Sequence, residues 1–289
     1  MKIGVSSYSF ARLFKGGTYT LFDAIDYAKK TGYEAIEFTD FSPPGGCSLG
    51  DYARKIRETC EAAGLSVVNY AVHADFLYGF GGDIKKETAR VKACVDIARI
   101  LGVPMMRHDA AWGFKDAAGG RNYRDAIKLI APEIREVSEY AAGQGIKTMC
   151  ENHGLFMQDS RRMEELVLAV NHPNFGLLVD MGNFMCADET SLTALSTVMP
   201  YAFHVHAKDF LWKSGAEPKP DDSWFLTRAG NYLRGTILGH GVVSSAQCIE
   251  YIKKTGYAGA ISLEFEGLEE PLDAIRRGYE FLKARFSES

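Results

Sequence analysis

The sequence predicts one α/β domain, a single (β/α)8 barrel of the TIM type. Three observations carry that expectation. Short apolar segments alternate strictly with longer amphipathic ones, and such alternation implies a parallel sheet flanked by helices. There are eight of these pairs in 289 residues, close to the roughly 250 residues that a barrel of this type needs. No Pro- or Ser-rich linker divides the chain, so residues 1–289 are read as one domain, with the surplus in a loop insertion at about 211–241. An open doubly wound sheet is the structural alternative. It would need a phosphate-binding glycine loop after an early strand, and the first strand-to-helix turn, SSYSFARLFKGGT, contains no G-x-G-x-x-G.

The elements follow in order. The first strand is KIGVSS (2–7). A helix runs from Thr20, an N-cap, to Lys30, with Leu21, Ala24, Ile25 and Ala28 on one face. YEAIEF (33–38) is the second strand, and a helix over 48–63 starts at a Ser48 cap and stops at Gly64. LSVVNYAV (65–72) is the third strand, with a helix over 83–101. VPMMRH (103–108) is the fourth, with a helix over 122–142. IKTMCEN (146–152) is the fifth, and its helix, 160–171, ends before Pro173. FGLLVDM (175–181) is the sixth, and a helix near 189–198 precedes Pro200. AFHVHAKDF (202–210) is the seventh. After the insertion come a helix over 244–255, the eighth strand AGAISLEF (258–265), and a helix over 269–285. KKTGYEAIEF (29–38) and KKTGYAGAISLEF (253–265) echo each other, as a repeated βα architecture allows.

Composition narrows the function. The chain is 46% hydrophobic and 24% charged, the balance of a folded soluble protein. Thirty-three basic residues against 37 acidic ones leave a net charge of −4, so no nucleic-acid partner is expected. No apolar run approaches the roughly 20 residues that cross a bilayer, and MKIGVSSYSF reads as a strand, so no membrane partner or secretion signal is expected. Cys47, Cys60, Cys94, Cys150, Cys186 and Cys248 are widely spaced without a C-x-x-C pair. That favours free thiols in a reducing, cytoplasmic compartment.

In such a barrel the carboxyl ends of the strands build the active face. Most of the predicted strands end in ionisable residues: Glu37; His73 and Asp75; Arg107, His108 and Asp109; Glu151 and His153; Asp180; His204, His206, Lys208 and Asp209; Glu264 and Glu266. Barrel strands otherwise read as apolar runs, so ionisable groups there need a reason. The economical reason is one divalent metal ion. Glu151, Asp180, His206 and Glu264 come from four consecutive strands and can converge on the barrel axis. Three carboxylates and one imidazole suit Mn²⁺ first, with Mg²⁺, Co²⁺ or Zn²⁺ as alternatives. Strand parity puts Ser262, Glu264 and Glu266 on one face, and likewise His204, His206 and Lys208. Glu264 and His206 are the better-placed ligands, with His204 a layer deeper and Glu37 a supporting residue. LYGFGGD (77–83) has the glycines of a mobile lid, and Tyr8, Trp112, Trp212 and Trp224 are among the aromatics in loops after strands.

The strand ends CENHG, VDMGN, HVHAKDF and ISLEFEG resemble those of the xylose isomerase-like barrel superfamily. They are most similar to its sugar (phosphate) isomerase/epimerase-type members, which include ketose 3-epimerases and inosose dehydratases. The resemblance implies that Glu151, Asp180, His206 and Glu264 hold one metal ion and that Glu151 and Glu264 are the catalytic acid–base pair. Such a pair would carry a ketose or related carbohydrate through an enediolate. His73, His108, His153, Lys208 and His240 are expected to contact substrate oxygens. Two positions depart from the family pattern. Asn183 stands where the epimerases carry the histidine of D-x-x-H, and Trp212 where an arginine would follow the seventh-strand histidine. A metal-dependent lyase of the inosose-dehydratase or keto-glycoside-cleaving type, sharing the first proton abstraction, is the alternative function. A phosphodiesterase resembling the type IV apurinic endonucleases fits less well, because Leu233 and Gly235 stand at the two positions of its D-x-H motif. The loops after strands seven and eight show no glycine nest, which argues against a phosphorylated substrate. The resemblance and the aromatic loops make a homodimer or homotetramer plausible.

Overall fold

The structure, a computed structural model, describes residues 1–115 and 119–287. β1 (Lys2–Ser6) is followed by a short helix, α1 (Ala11–Lys15), and by α2 (Leu21–Thr31). β2 (Ala35–Thr39) and α3 (Leu49–Ala63) come next, then β3 (Ser66–Val72) and α4 (Ile84–Leu101). β4 (Met105–His108) precedes α5 (Tyr123–Gly143), and β5 (Lys147–Glu151) precedes α6 (Ser160–Val170). β6 (Phe175–Asp180) and α7 (Ser191–Val198) lead to β7 (Ala202–Ala207). Three further strands follow, β8 (Asp209–Lys213), β9 (Phe225–Leu226) and β10 (Tyr232–Thr236). α8 (Ser245–Lys254), β11 (Ala260–Leu263) and α9 (Pro271–Ser287) complete the chain.

β1 to β7 and β11 form a closed parallel barrel, sealed where β1 pairs with β11. This is the (β/α)8 architecture the alternation predicts. The helices form because their termini are satisfied locally. Thr20 accepts from the Asp23 N–H while the Asp23 carboxylate accepts from the Thr20 N–H, and Asn122 and Asp125 build the same reciprocal cap on α5. Gly64 ends α3 at φ +69°, a left-handed conformation that costs glycine little. No described helix is long and apolar enough to cross a membrane.

The region after β7 differs from the sequence expectation. The seventh strand does not run to residue 210: the chain leaves the barrel after Ala207, and Asp209 begins a separate sheet. The insertion is loop for most of its length but also carries a three-stranded antiparallel sheet in the order β8-β10-β9. Its physical reason is burial of Phe210 and Leu233, neither of which retains exposed surface, with Phe225 edge-on to Phe210 at 5.8 Å between ring centroids. Asp188, in the turn after β6, anchors this sheet by accepting from Thr227 Oγ1, the Ala229 N–H and Asn231 Nδ2.

Parity also corrects His108 as a substrate contact. Arg107 and His108 are neighbours on β4 and face opposite sides of the barrel wall. Arg107 faces the interior, where it meets Glu151. His108 is fully buried on the other side, with its ring 5.5 Å from Phe76 and 6.1 Å from Phe175. Its Nδ1–H donates to the Asp109 carbonyl at 2.9 Å. Burial pushes this imidazole down from its ordinary 6.5 to about 4.

That burial makes a stability prediction. Between pH 6.5 and about 4 the unfolded chain holds a proton on His108 that the folded chain lacks. Stability is therefore complete above pH 6.5 and falls as pH drops toward 4, by at most about 3 kcal/mol from this residue. Urea unfolding at pH 7.0, 5.5 and 4.5 is expected to show a shallower acid loss in His108→Leu than in the parent. Equal slopes in the two proteins would remove His108 as the cause.

Candidate active site and metal centre

The barrel mouth is built from four strand ends. Glu151 closes β5, Asp180 closes β6, His206 lies near the end of β7, and Glu264 follows β11 directly. Register sets Asp180 beside His206 and His206 beside Ser262, and the Glu264 N–H donates to the Ala207 carbonyl at 3.0 Å. One ligand-capable atom from each of the four residues lies within 4.8 Å of the others. All four are buried, Glu264 the least at 8% exposed.

Local hydrogen bonds aim these groups. Asp180 Oδ1 accepts from the N–H groups of Gly182 and Asn183 at 2.7 and 2.9 Å, which turns Oδ2 toward the other ligands. A Cβ at Gly182 would lie 2.9 Å from the Lys208 carbonyl oxygen, so the turn that fixes Asp180 needs glycine. Asn183 Nδ2 donates to Glu151 Oε1 at 3.0 Å, and Arg107 Nη2 holds Glu151 Oε2 at 2.7 Å. Lys208 Nζ lies against Glu264 Oε2 and 3.4 Å from both Asp180 Oδ2 and Glu266 Oε2.

Beneath this ring is a second polar layer. Glu37, from β2, reaches across the interior and accepts from His206 Nε2–H at 2.6 Å and from His204 Nε2–H at 2.8 Å. His204 also lies 3.0 Å from Ser262 Oγ. With Nε2 committed to Glu37, His206 presents Nδ1 to the carboxylates, 3.5 Å from Glu264 Oε1 and 3.8 Å from Glu151 Oε1 and Asp180 Oδ2. His206 Nδ1 and Asp180 Oδ2 are buried with no hydrogen-bond partner. Two orphaned buried acceptors facing each other among carboxylates fit a divalent cation, which the three carboxylates and one imidazole would hold.

The electrostatics differ around the ring. Burial, reinforced by Glu151 and Asp180, pushes the Glu264 carboxyl up against the pull of Lys208 and His206. Burial pushes Glu151 up too, but the Arg107 guanidinium and His206 outweigh it and hold the carboxyl low. Burial likewise opposes ionisation of Glu37, and the two imidazoles, His206 foremost, hold it well below the usual carboxylate range.

Above the ring opens a cavity of about 440 Å³. His73, His153 and Lys208 line it, as do the two glutamates and His206. His240 does not. It sits on an exposed turn after β10, where its N–H donates to the Ile237 carbonyl, and is corrected as a substrate contact. His108 is absent from the lining for the parity reason already given. The lining also holds Arg107, Asp109 and Glu266, strand-end residues beyond the predicted site set, and Tyr8 and Trp112 from the aromatic loops after strands. Asp109 organises the β3–β5 wall. Its Oδ1 lies 2.7 Å from Arg107 Nη2 and 3.2 Å from His153 Nδ1, and its Oδ2 lies 3.2 Å from His73 Nδ1. Trp112 packs against both imidazoles, at 5.5 Å from His73 and 5.1 Å from His153. The sequence signal for Arg107 and Asp109 was their shared parity, two residues apart at the end of β4.

Comparison with known proteins agrees with this architecture. A sequence profile described as Xylose isomerase-like TIM barrel matches residues 25–285. The chain is 21% identical over 286 residues to L-ribulose-5-phosphate 3-epimerase UlaE of Escherichia coli (strain SMS-3-5 / SECEC), covering 92% of this chain and 90% of that protein. It shares its fold with the crystal structure of IOLI protein with a binding zinc atom, at TM-score 0.76 and 19% identity over 100% of this chain and 99% of that one. It also shares it with D-psicose 3-epimerase from Clostridium cellulolyticum H10, solved with D-tagatose, at TM-score 0.71 and 15% identity over 98% and 99% of the two chains.

Glu37 gives this site a test that needs no substrate. Removing its charge by Glu37→Gln loosens the hold on His206 and is expected to weaken Mn²⁺ binding by about 10–100-fold, read by calorimetry. Unchanged affinity in a folded variant would show that Glu37 does not position the ligand.

Proposed function

The chain belongs to the xylose isomerase-like TIM barrel family, and on that premise we propose that it is a divalent-metal-dependent epimerase of a ketose or related carbohydrate. One observation carries the reading: two buried glutamates converge with Asp180 and His206 on one point at the floor of the cavity. Relatives named as sugar 3-epimerases support it. The oxygen-rich donor set favours Mn²⁺, with Mg²⁺, Co²⁺ or Zn²⁺ as alternatives.

When bound, the cation supplies positive charge beside the substrate carbonyl and the neighbouring hydroxyl, which makes the C–H between them more acidic. Glu151 and Glu264 flank that point from strands separated in the barrel by β6 and β7. One removes the proton and the other delivers its own, exchanged with solvent, to the opposite face, so the carbon inverts and the first carboxyl is left protonated. A positioned proton-transfer group typically contributes about 10²–10⁴-fold. Arg107 and Asn183 fix the Glu151 carboxylate, and Lys208 fixes that of Glu264. His73, His153 and Lys208 bind substrate oxygens, and Trp112 holds the two imidazoles in place.

The test is proton exchange in D₂O with metal-loaded protein and a panel of ketoses. An accepted ketose is expected to gain deuterium at the inverting carbon, and chelation is expected to stop the exchange until metal is restored. Glu151→Gln and Glu264→Gln are each expected to lower the exchange rate by about 10²–10⁴-fold. Exchange that survives both substitutions would sink the acid–base assignment. A product that has lost a substituent, in place of an epimer, would assign the same residues to lyase chemistry.

A further inference from the structure

We infer that this site takes an uncharged polyhydroxylated carbonyl substrate and rejects the corresponding phosphate esters. The inference rests on the epimerase reading and names its substrate class.

The first ground is the state of the cations. Besides imidazoles, Arg107 and Lys208 are the only basic groups among the described residues that line the cavity. Arg107 Nη2 is shared between Asp109 and Glu151 at 2.7 Å each, and Nη1 donates to the Val72 carbonyl at 3.4 Å. Lys208 is held among Glu264, Asp180 and Glu266. Both are already charge-paired within the protein, so a phosphate would have to compete with these carboxylates for them. Carboxylates outnumber these cations, with Asp40, Asp109, Glu151, Glu264 and Glu266 in the lining and Asp180 at the floor. A divalent cation offsets only part of that charge. A phosphate ester brings a further charge of about −1.5 to −2 at pH 7.

The second ground lies in the loops. In barrels of this type a phosphate is frequently held by backbone N–H groups of the loops after the seventh and eighth strands. Here those groups already hold an anion that belongs to the chain. Asp209, 2% exposed, accepts from the N–H groups of Gly239 and Gly241 on Oδ2, at 2.9 and 3.1 Å. Its Oδ1 accepts from the N–H groups of Phe210 and Val243, at 2.9 and 3.1 Å, and Ser245 Oγ adds a fifth donor. After β11, Glu270 accepts from the N–H groups of Leu272 and Asp273 at the start of α9. A phosphate would have to displace one of these carboxylates.

The third ground is what the cavity does offer. His73 and His153 each turn Nδ1 toward Asp109, which leaves Nε2 for a hydroxyl. Carboxylates at Asp40 and Glu266 accept from hydroxyl groups and repel phosphate. A side pocket of about 230 Å³ shares His153, Lys208 and Glu266 with the main cavity and is walled by Leu155, Phe225 and Cys186. Lys208 is its only cation among the described residues, so it suits an uncharged extension of the sugar.

The experiment compares matched pairs in D₂O with the Mn²⁺-loaded full chain: L-ribulose with L-ribulose 5-phosphate, and D-tagatose with D-tagatose 6-phosphate. The free sugar is expected to exchange with kcat/KM at least about 100-fold above its ester, the scale of a like-charge clash. Esters that exchange as fast as the free sugars, or faster, overturn this inference and leave the epimerase reading intact. No exchange with either member of either pair, or across the wider ketose panel, overturns the epimerase reading and this inference with it.

Discussion

Glu151, Asp180 and Glu264 place three carboxyl groups at one end of the barrel, almost wholly out of water. A buried carboxylate without compensation is costly, and three at close quarters add mutual repulsion. The rest of the site follows from that constraint. Arg107 comes from β4 and Lys208 from the residue between β7 and β8, and each is drawn into the interior by the acids it neutralises. Arg107 joins β4 to β5, and Lys208 joins the end of β7 to the end of β6 and to the segment after β11. Charge pairing across the mouth therefore tightens the same strand ends that backbone pairing tightens along the wall.

The polar layer below carries the constraint one step deeper. A barrel of this kind usually fills its interior with branched apolar side chains. Here one interior layer is instead Glu37, His204 and Ser262, with His206 joining it to the mouth. Glu37 takes the proton-bearing nitrogens of both histidines, and Asn69 Nδ2 donates to it as well, at 3.2 Å. A carboxylate with this many donors is stabilised without water. In turn it fixes the His206 ring, whose other nitrogen could not face the three carboxyl groups if the ring were free to flip.

Much of this was legible because it depends on period and parity. The strand–helix alternation yields the barrel, and Gly64 and Gly102 mark the helix ends where the structure has left-handed C-caps. Parity groups His204 with His206 and Ser262 with Glu264, and the structure brings each pair to the interior. What was hidden depends on distance in space. Glu37 was read as a supporting residue, but its partner His206 is 169 positions away across the barrel, and nothing local to either residue announces the other. His108 was misplaced because its chemistry was weighed above its parity: Arg107, one residue earlier, faces the interior in its stead. The small sheet in the insertion leaves little trace in the sequence because β9 has two residues and its pairing is antiparallel, so it lacks the period of the surrounding units.

Asp209 and Glu270 extend the logic of the mouth to its rim. At the floor, carboxylates face side-chain cations and a ring nitrogen. At the rim, carboxylates face the backbone N–H groups of the loop before α8, the Ser245 hydroxyl and the first N–H groups of α9. In both places the chain supplies its own anion. At the rim this satisfies donors that would otherwise be left bare or bound to water, and it stabilises the loops over the barrel end. The consequence for binding is selective. In the cavity a hydroxyl can donate to Asp40 or Glu266, or meet a histidine, without displacing anything. A phosphate has to compete with carboxylates of the chain for its charged partners. The net charge of −4 gives little hint of this, because what sets the character of the site is how tightly its few cations are committed.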